Sequence, residues 1–203
     1  MQDPRAELPK IISILTTTSS PALQRETLRQ FYTADASFAH PLCRVAPGPS
    51  SRERILGVYQ WYRVLGPVDK VEIVEVSWDQ HPGGHPEDGT AYVQVVQWFK
   101  IRLSPFPAVP ARLTVRLTLR EEGGLYYIAS QEDFYHPADL AALFVPPIIP
   151  LITLALSAAG VVSNVGARVA ALAGFWAVDP KGKSAGEHVL DAKYVDGAGV
   201  NGY

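Results

Sequence analysis

A long run without charge is the feature that most limits how this chain can fold. From Leu140 to Ala167 there is no Asp, Glu, Lys, Arg or His, and the stretch Phe144–Ser163 reads FVPPIIPLITLALSAAGVVS. A helix needs roughly 20 apolar residues to cross a hydrocarbon core about 30 Å thick. The run is therefore long enough to enter a bilayer. Two Ala-rich helices folded over a soluble domain, or buried in a dimer, are the alternative.

The rest of the chain has the composition of an ordinary charged domain. The 203 residues carry a formal net charge of −2, and Lys and Arg are scattered, so nothing favours a nucleic-acid partner. The single cysteine, Cys43, excludes an internal disulfide and a cysteine-based zinc cage. The N-terminal residues, which include Asp3 and Glu7, lack the continuous apolar core of a secretory signal. We therefore expect an intracellular protein.

Two motifs of nucleotide and ester chemistry are missing from the sequence. It contains neither a Gly-rich phosphate loop nor a G-x-S-x-G elbow. Nucleotide hydrolysis and serine-hydrolase chemistry therefore have no support, and we expect no cofactor.

Apolar periodicity predicts three helices in the N-terminal part of the chain. The first has apolar residues at positions i, i+3, i+4 and i+7, which are Leu8, Ile11, Ile12 and Leu15. Ser20 followed by Pro21 is a typical start for the second helix. The third is expected from about Ser51 to Leu65, because Gly66 and a proline follow it.

Period-two alternation then predicts a sheet. Between Arg112 and Arg120 apolar residues alternate strictly with Thr and Arg, as expected for strands with one face in a core. Further strands are expected at Ala36–Val45, Val71–Trp78, Ala91–Leu103 and Leu125–Ser130. This order predicts an α+β fold, a cone-shaped curved antiparallel sheet wrapped around three N-terminal helices, with an apolar helical extension at the C-terminus. Such a cone encloses a pocket.

Two sequence motifs in this arrangement resemble a known superfamily. They are FYTADASFAHPLCRV at Phe31–Val45 and IASQEDFYHPADL at Ile128–Leu140. Together with the order of elements and the apolar C-terminal stretch, they resemble the nuclear transport factor 2-like (SnoaL-like) superfamily, and within it fungal proteins with a sigma-factor-like (SigF-like) version of the domain. The resemblance covers roughly Ile11 to Leu143. It implies the cone fold but no single function, because this fold hosts isomerases, dehydratases, cyclases, hydrolases and binding modules.

Enzymes of this superfamily commonly transfer protons with a His, Asp or Tyr inside the cone, and the resemblance therefore implies catalytic candidates. His40 would shuttle protons with a pKa of about 6.5, or be a structural histidine bonded to a backbone carbonyl. Asp35 would be a base whose pKa burial raises, or a residue that orders a turn. Of the adjacent acids Glu132 and Asp133, one would face the cavity while the other is solvated, and Asp133 is the catalytic candidate. The Gln131-Glu132-Asp133 motif could instead be structural, as a link between the sheet and the C-terminal helix.

Aromatic and cationic side chains complete the predicted cavity. We expect the ligand to contact five residues, Tyr59, Tyr62, Trp98, Arg116 and Tyr135. A metal site is not expected, because His81 and His85 lie in a Gly-Pro loop and their spacing matches no zinc pattern.

These observations predict three segments and a leading function. Residues 1–139 would form the cone, residues 140–178 (Leu140 to Val178) a membrane-associating helical segment, and residues 179–203 a disordered tail. The leading hypothesis is an intracellular, membrane-associated protein that binds a small apolar molecule in its cone. One alternative is a cofactor-independent isomerase, cyclase or dehydratase acting on a hydrophobic metabolite, with His40 and either Asp35 or Asp133. The other is a homodimeric adaptor that pairs through its sheet.

Overall fold

The computed structural model of this protein describes residues 1–66, 68–80 and 89–175. Its elements, in chain order, are α1 (Pro4–Thr17), α2 (Pro21–Phe31), β1 (Tyr32–His40), β2 (Cys43–Val45), α3 (Ser51–Leu65), β3 (Val68–Gln80), β4 (Gly89–Phe99), β5 (Val109–Glu122), β6 (Leu125–Tyr135), α4 (Pro137–Phe144), a short 3-10 turn (Pro146–Ile148) and α5 (Ile149–Leu172). The predicted α+β class is confirmed.

Two of the three N-terminal helices, α1 and α2, begin at residues whose side chains cap them. The Asp3 side chain accepts a hydrogen bond from the backbone N–H of Ala6, and the Ser20 side chain accepts one from Leu23. Each serves one of the amide groups that a helix start leaves without a partner. The four periodic apolar residues of α1 are all buried, as their spacing predicts.

The six strands form one sheet in the order β2-β1-β6-β5-β4-β3. All neighbours are antiparallel except β1 and β6, which run parallel. The sequence analysis expected an antiparallel sheet throughout. Side-chain alternation shows which face of a strand is buried but not the direction of its neighbour, so the parallel pair could not be derived from it.

Two predicted strand ends move in the structure. Strand β4 ends at Phe99, and Leu103, which the prediction included, is 92% exposed. Strand β6 continues to Tyr135, so the Gln-Glu-Asp motif lies within the last strand and not after it. This extension brings three more side chains of β6 to the inner face of the sheet.

The core lies between the inner face of the sheet and helices α1 to α3. Its largest fully buried side chains include Tyr32, Phe38, Leu117, Leu119 and Ile128. Each such apolar side chain contributes about 1.5–3 kcal/mol by burial. A second cluster joins the end of β4 to α4. Helices α1 to α3 and helix α4 therefore cover different parts of the inner face of the sheet.

The chain divides into two compact units, Met1–Thr153 and Leu154–Tyr203. The first includes α4, whose Ala142 and Leu143 are buried, so it continues past Asp139, where the sequence analysis ended the cone. The predicted disordered tail, residues 179–203, lies outside the described residues. The loop that carries His81 and His85 lies outside them as well.

Helix α5 is continuous, and none of its residues is buried. With the preceding turn it forms a helical stretch, Pro146–Leu172, of 27 residues. In the part of the chain that the structure describes, it is the one helix whose length and composition would allow it to cross a membrane. At 1.5 Å per residue its length, about 40 Å, exceeds a hydrocarbon core of about 30 Å.

Candidate functional site

A cavity of about 110 Å³ lies inside the cone, within the first unit. Its wall is mostly apolar and comes from α1, α3, α4 and strands β1 and β3 to β6. The side chains that bring polar atoms or charge to this wall are Thr16, His40, Tyr59, Tyr62, Arg63, Gln97, Gln131, Asp133 and Tyr135. A cavity of this size accommodates a molecule about as large as one aromatic ring.

Strand β6 supplies the centre of the polar group. Its alternation directs Gln131, Asp133 and Tyr135 to the cavity, while Glu132 lies on the outer face, 3.7 Å from Arg116. The sequence left open which of the two acids faces the cavity, and the structure places Asp133 there. Helix α3 supplies a second set, because Tyr59 and the residues three and four positions later share one side of a helix.

The Gln131 side chain connects these groups. Its Oε1 accepts hydrogen bonds from the hydroxyls of Tyr32 at 2.5 Å and Tyr59 at 2.9 Å. Its Nε2 donates to Asp133 Oδ1 at 2.9 Å. Both ends of the amide are therefore engaged, which fixes its orientation and holds the carboxyl in place.

Burial raises the pKa of Asp133 to about 7, and the hydrogen bond from Gln131 partly opposes this rise. No Lys or Arg forms an ion pair with Asp133 among the side chains that the structure describes. Near neutral pH this carboxyl therefore populates both its protonated and its ionised form, as a general acid or base requires.

The cavity tyrosines stay protonated at neutral pH. Burial, followed by smaller effects of neighbouring groups, raises the pKa of Tyr59 and Tyr62 well above the ordinary value. Burial also raises the pKa of Tyr135, whose hydroxyl accepts a hydrogen bond from Gln97 Nε2 at 2.6 Å. These hydroxyls are therefore donors and acceptors for a bound molecule and do not supply charge.

His40 lies at the end of β1 with its ring against two tyrosines. Its ring centroid is 5.5 Å from that of Tyr62 and 5.3 Å from that of Tyr135. Its Nδ1 accepts the backbone N–H of Leu42 at 3.2 Å and lies 3.2 Å from the Tyr62 hydroxyl. Because a backbone N–H can only donate, Nδ1 is the acceptor and the proton of the neutral ring is on Nε2.

Burial lowers the pKa of His40 to about 4. The ring is therefore neutral at pH 7, whereas the sequence analysis expected a shuttle with an ordinary pKa. His40 therefore lines the cavity as a neutral ring with its proton on Nε2.

The structure places three predicted site residues outside the cavity. Asp35 is exposed beside Arg120, whose Nη1 lies 3.3 Å from Asp35 Oδ1, and Arg116 pairs with Glu132 on the same outer face. Trp98 lies between the cavity residue Gln97 and the buried Phe99, so it points outward. These positions correct the prediction. The reason in each case is the period of two, which sends alternate side chains to opposite faces.

Trp98 also has a partner on that outer face. The Lys70 Nζ lies 4.8 Å from the centroid of the Trp98 ring, and the two residues pair across β3 and β4. A cation over an aromatic face is a favourable contact. The expectation that Trp98 lines the cavity is therefore wrong for this register.

The structure brings His40, Asp133, Tyr59, Tyr62 and Tyr135 together, and their roles stay predictions. It adds polar side chains that the sequence analysis did not select, among them Arg63, Gln97 and Gln131. Strand alternation would have indicated Gln97 and Gln131, which share a face with Phe99 and Asp133 respectively. Helical spacing would have indicated Arg63, four positions after Tyr59. Within the described residues no group of three His, Cys, Asp or Glu side chains could hold a metal.

The sequence model of the SigF NTF2-like domain family matches residues 1–175. The matched region contains the whole sheet, the cavity and α5. No curated protein matches the chain in sequence.

Solved structures with related arrangements share little sequence with it. An uncharacterised protein with a cystatin-like fold from Caulobacter vibrioides is 15% identical, with a TM-score of 0.49, over 70% of this chain and 93% of its own. An NTF2-like protein of unknown function in nutrient uptake from Rhodospirillum rubrum is 12% identical, with a TM-score of 0.47, over 66% and 98%. A hypothetical protein with a ketosteroid isomerase-like fold from Catenulispora acidiphila, in complex with trimethylamine, is 19% identical, with a TM-score of 0.43, over 66% of this chain and 92% of its own.

Proposed function

This chain belongs to the SigF NTF2-like domain family, and from that premise we propose that its cone binds a small, largely apolar molecule. The observation that carries the proposal is the cavity of about 110 Å³, whose wall is mostly apolar but includes several oriented polar groups. Ligand sites in proteins typically combine an apolar wall with a few polar groups that fix orientation. The fungal origin and intracellular location implied by the sequence stay predictions.

Two neighbouring valines of β4 provide a matched test of this proposal. Val95 is 4% exposed and lines the cavity, whereas Val96, the next residue, faces outward. We expect Val95→Phe to fill the cavity and abolish binding of a small apolar probe such as benzyl alcohol, measured by NMR titration. Val96→Phe should bind as the wild type does. Equal binding by both variants would contradict the proposal, provided that thermal melts show both to be folded.

Proton transfer is the second candidate function, and the position of Asp133 favours it. A carboxyl with a pKa of about 7 lies in the cavity with hydroxyl donors that could stabilise a developing oxyanion. A cofactor-independent isomerase or dehydratase needs such a base and such donors. Asp133 is the base of this candidate, since Asp35 lies outside the cavity and His40 is a weak base, with a pKa of about 4 and an Nδ1 that already accepts the Leu42 N–H.

Exchange of carbon-bound hydrogen tests this second function directly. Cyclohexanone in D₂O exchanges its α-hydrogens when a base removes them, and NMR follows the loss of signal. If Asp133 is the base, Asp133→Asn should slow exchange on the order of 10²–10⁴-fold relative to the wild-type protein. Asp35→Asn is the matched control and should exchange at the wild-type rate. No acceleration by the wild type would leave ligand binding as the proposed function.

We propose further that Pro146–Leu172 attaches the protein to a membrane. This helical stretch is apolar, and no residue in its most apolar window is buried. In water such a surface would be costly, since apolar area gains about 25 cal/mol per Å² on leaving water. Transfer of this exposed apolar surface from water into a bilayer would therefore be favourable.

Flotation on liposomes tests the attachment with the full chain. The wild type should float with neutral lipid vesicles. The double variant Val161→Asp with Val162→Asp puts two charges near the middle of α5, each costing about 2.5–3.5 kcal/mol in a bilayer centre, and should remain at the bottom. Leu103→Asp, at an exposed site outside α5, is the control and should float. A wild type that stays at the bottom would contradict the proposal.

The homodimeric adaptor has weaker support. Its interface would be the outer face of the sheet, where Arg116 pairs with Glu132 and Arg120 with Asp35. A face that carries compensated charges differs from the apolar core that stable homodimer interfaces usually have. The dimer stays a prediction, and the cavity carries the proposed function.

A further inference from the structure

One cation in the cavity wall has no partner among the side chains that the structure describes. It is Arg63, which lies on α3, four residues after Tyr59, and lines the cavity. Its Nη1 is buried and makes no hydrogen bond. Among the side chains that the structure describes, no carboxylate forms an ion pair with it. A buried donor without a partner is costly, and a charged one more so.

The other cavity groups do not supply the missing counter-charge. The tyrosines are neutral and the neutral His40 ring donates from Nε2. Asp133 is engaged by Gln131 and not by Arg63. Apart from Asp133, which populates both its forms near neutral pH, the described cavity wall therefore has apolar side chains, neutral hydrogen-bonding groups and one fixed positive charge. An anionic ligand would supply the partner that the protein lacks.

We propose that Arg63 binds the carboxylate of a small, otherwise apolar acid whose body occupies the cavity, an inference that rests on the proposed ligand-binding function. The guanidinium fork matches a carboxylate with two parallel hydrogen bonds. A single arginine balances the charge of a monoanion. A phosphate monoester, with nearly two negative charges, would leave charge uncompensated in an apolar cavity. The ligand class is therefore a monocarboxylic acid.

Matched acids and amides separate the charge from the shape of the ligand. We would titrate the full-length protein with benzoate against benzamide, and with hexanoate against hexanamide, by calorimetry at about pH 6. At that pH the acids are ionised and Asp133 is mostly protonated. The wild type should bind each acid on the order of 10-fold to 100-fold more tightly than its amide, as expected for a charge-assisted hydrogen bond.

Three variants locate the source of this preference. Arg63→Gln should bind acid and amide equally, with the amide bound as tightly as by the wild type. Arg63→Lys keeps the charge without the fork and should retain a reduced preference for the acids. Arg112→Gln removes an exposed positive charge from the outer face of β5 and should behave as the wild type.

The outcomes distinguish this inference from the function on which it rests. If the wild type binds acids and amides equally, the carboxylate inference is overturned and ligand binding stands. If none of the four probes binds, both are overturned. If Arg63→Gln and Arg63→Lys each bind neither the acids nor the amides, Arg63 is structural and the inference is overturned.

Discussion

The inner and outer faces of the same sheet stabilise their polar groups in opposite ways. On the outer face, Asp35 lies beside Thr33 and Arg120, which hold the pKa of its carboxyl below the ordinary value. On the inner face, Asp133 has one amide partner, and burial raises its pKa to about 7. The two carboxyls belong to neighbouring strands, β1 and β6. For these two aspartates, the face of the sheet therefore decides whether the carboxyl can exchange protons near neutral pH.

The comparison also separates two kinds of arginine. Arg120 on the outer face pairs with Asp35 and with Glu122, so its charge is compensated by exposed carboxylates. Arg63 on the cavity wall has no such partner among the described side chains. The uncompensated arginine therefore lies at the cavity, which is where ligand sites in proteins are expected.

The largest expected difference between the faces is in packing. Phe99 is 8% exposed in the second core cluster, and Phe99→Ala should lower the free energy of unfolding by about 3–5 kcal/mol. Trp98, the next residue back, lies half-buried on the outer face, and Trp98→Ala should cost less than half as much. Urea denaturation of both variants measures the difference. A larger cost at Trp98 would show that the faces are assigned wrongly.

A second difference concerns the pH dependence of stability. Between about pH 4 and pH 7 folded Asp133 holds its proton while the unfolded carboxyl releases it, so its contribution to stability falls as pH rises through this range. Asp133→Asn should remove this fall and raise the free energy of unfolding at about pH 8 by on the order of 2–4 kcal/mol. Asp35→Asn, on the outer face, should leave the change of unfolding free energy with pH between about pH 4 and pH 7 as it is in the wild type. Denaturation midpoints at several pH values would show both effects.

His40, which lines the same cavity, should change the pH dependence of stability in the opposite direction. Its folded pKa of about 4 is below the ordinary value, so the unfolded chain binds more protons between about pH 4 and 6.5. Its contribution to stability therefore rises with pH across that range, by on the order of 1–3 kcal/mol. His40→Gln should steepen the fall that Asp133 causes. An unchanged pH profile in this variant would mean that the ring titrates normally.

Much of this architecture follows from the sequence, and the limits of the prediction are physical. The four apolar positions of α1 and the Ser20 cap predict real helices, because local spacing fixes a helix face. Alternation in β5 identifies its buried side. Asp35 and Trp98 were misplaced because chemical type selected them, whereas the alternation of their strands sends both side chains to the outer face.

The cavity groups were predicted only in part. His40, Asp133 and the three tyrosines were selected by chemical type and lie in the cavity, whereas Arg63 was not selected. A sequence shows that an arginine is present on a helix. It does not show whether a carboxylate on another element pairs with it, because that depends on long-range contacts. The unpaired guanidinium therefore required the structure.

The smallest expected effect is on the outer face. Arg120→Gln removes the ion pair with Asp35, whose side chain is 51% exposed. Exposed pairs of this kind contribute about 0.2–1 kcal/mol and weaken in salt. We expect Arg120→Gln to lower the free energy of unfolding by this amount in low salt and by almost nothing in high salt, as measured by thermal melts. A loss comparable to that of Phe99→Ala would remove the contrast between the faces.

The central claim is that the inner face of the cone holds a small molecule. Native mass spectrometry of the full chain, purified from the cells that naturally make it, tests this claim most directly. We predict that the wild type and Val96→Phe carry a small organic molecule of the same mass and that Val95→Phe does not. A wild type without any bound molecule, or a Val95→Phe variant that retains the molecule, would contradict the account.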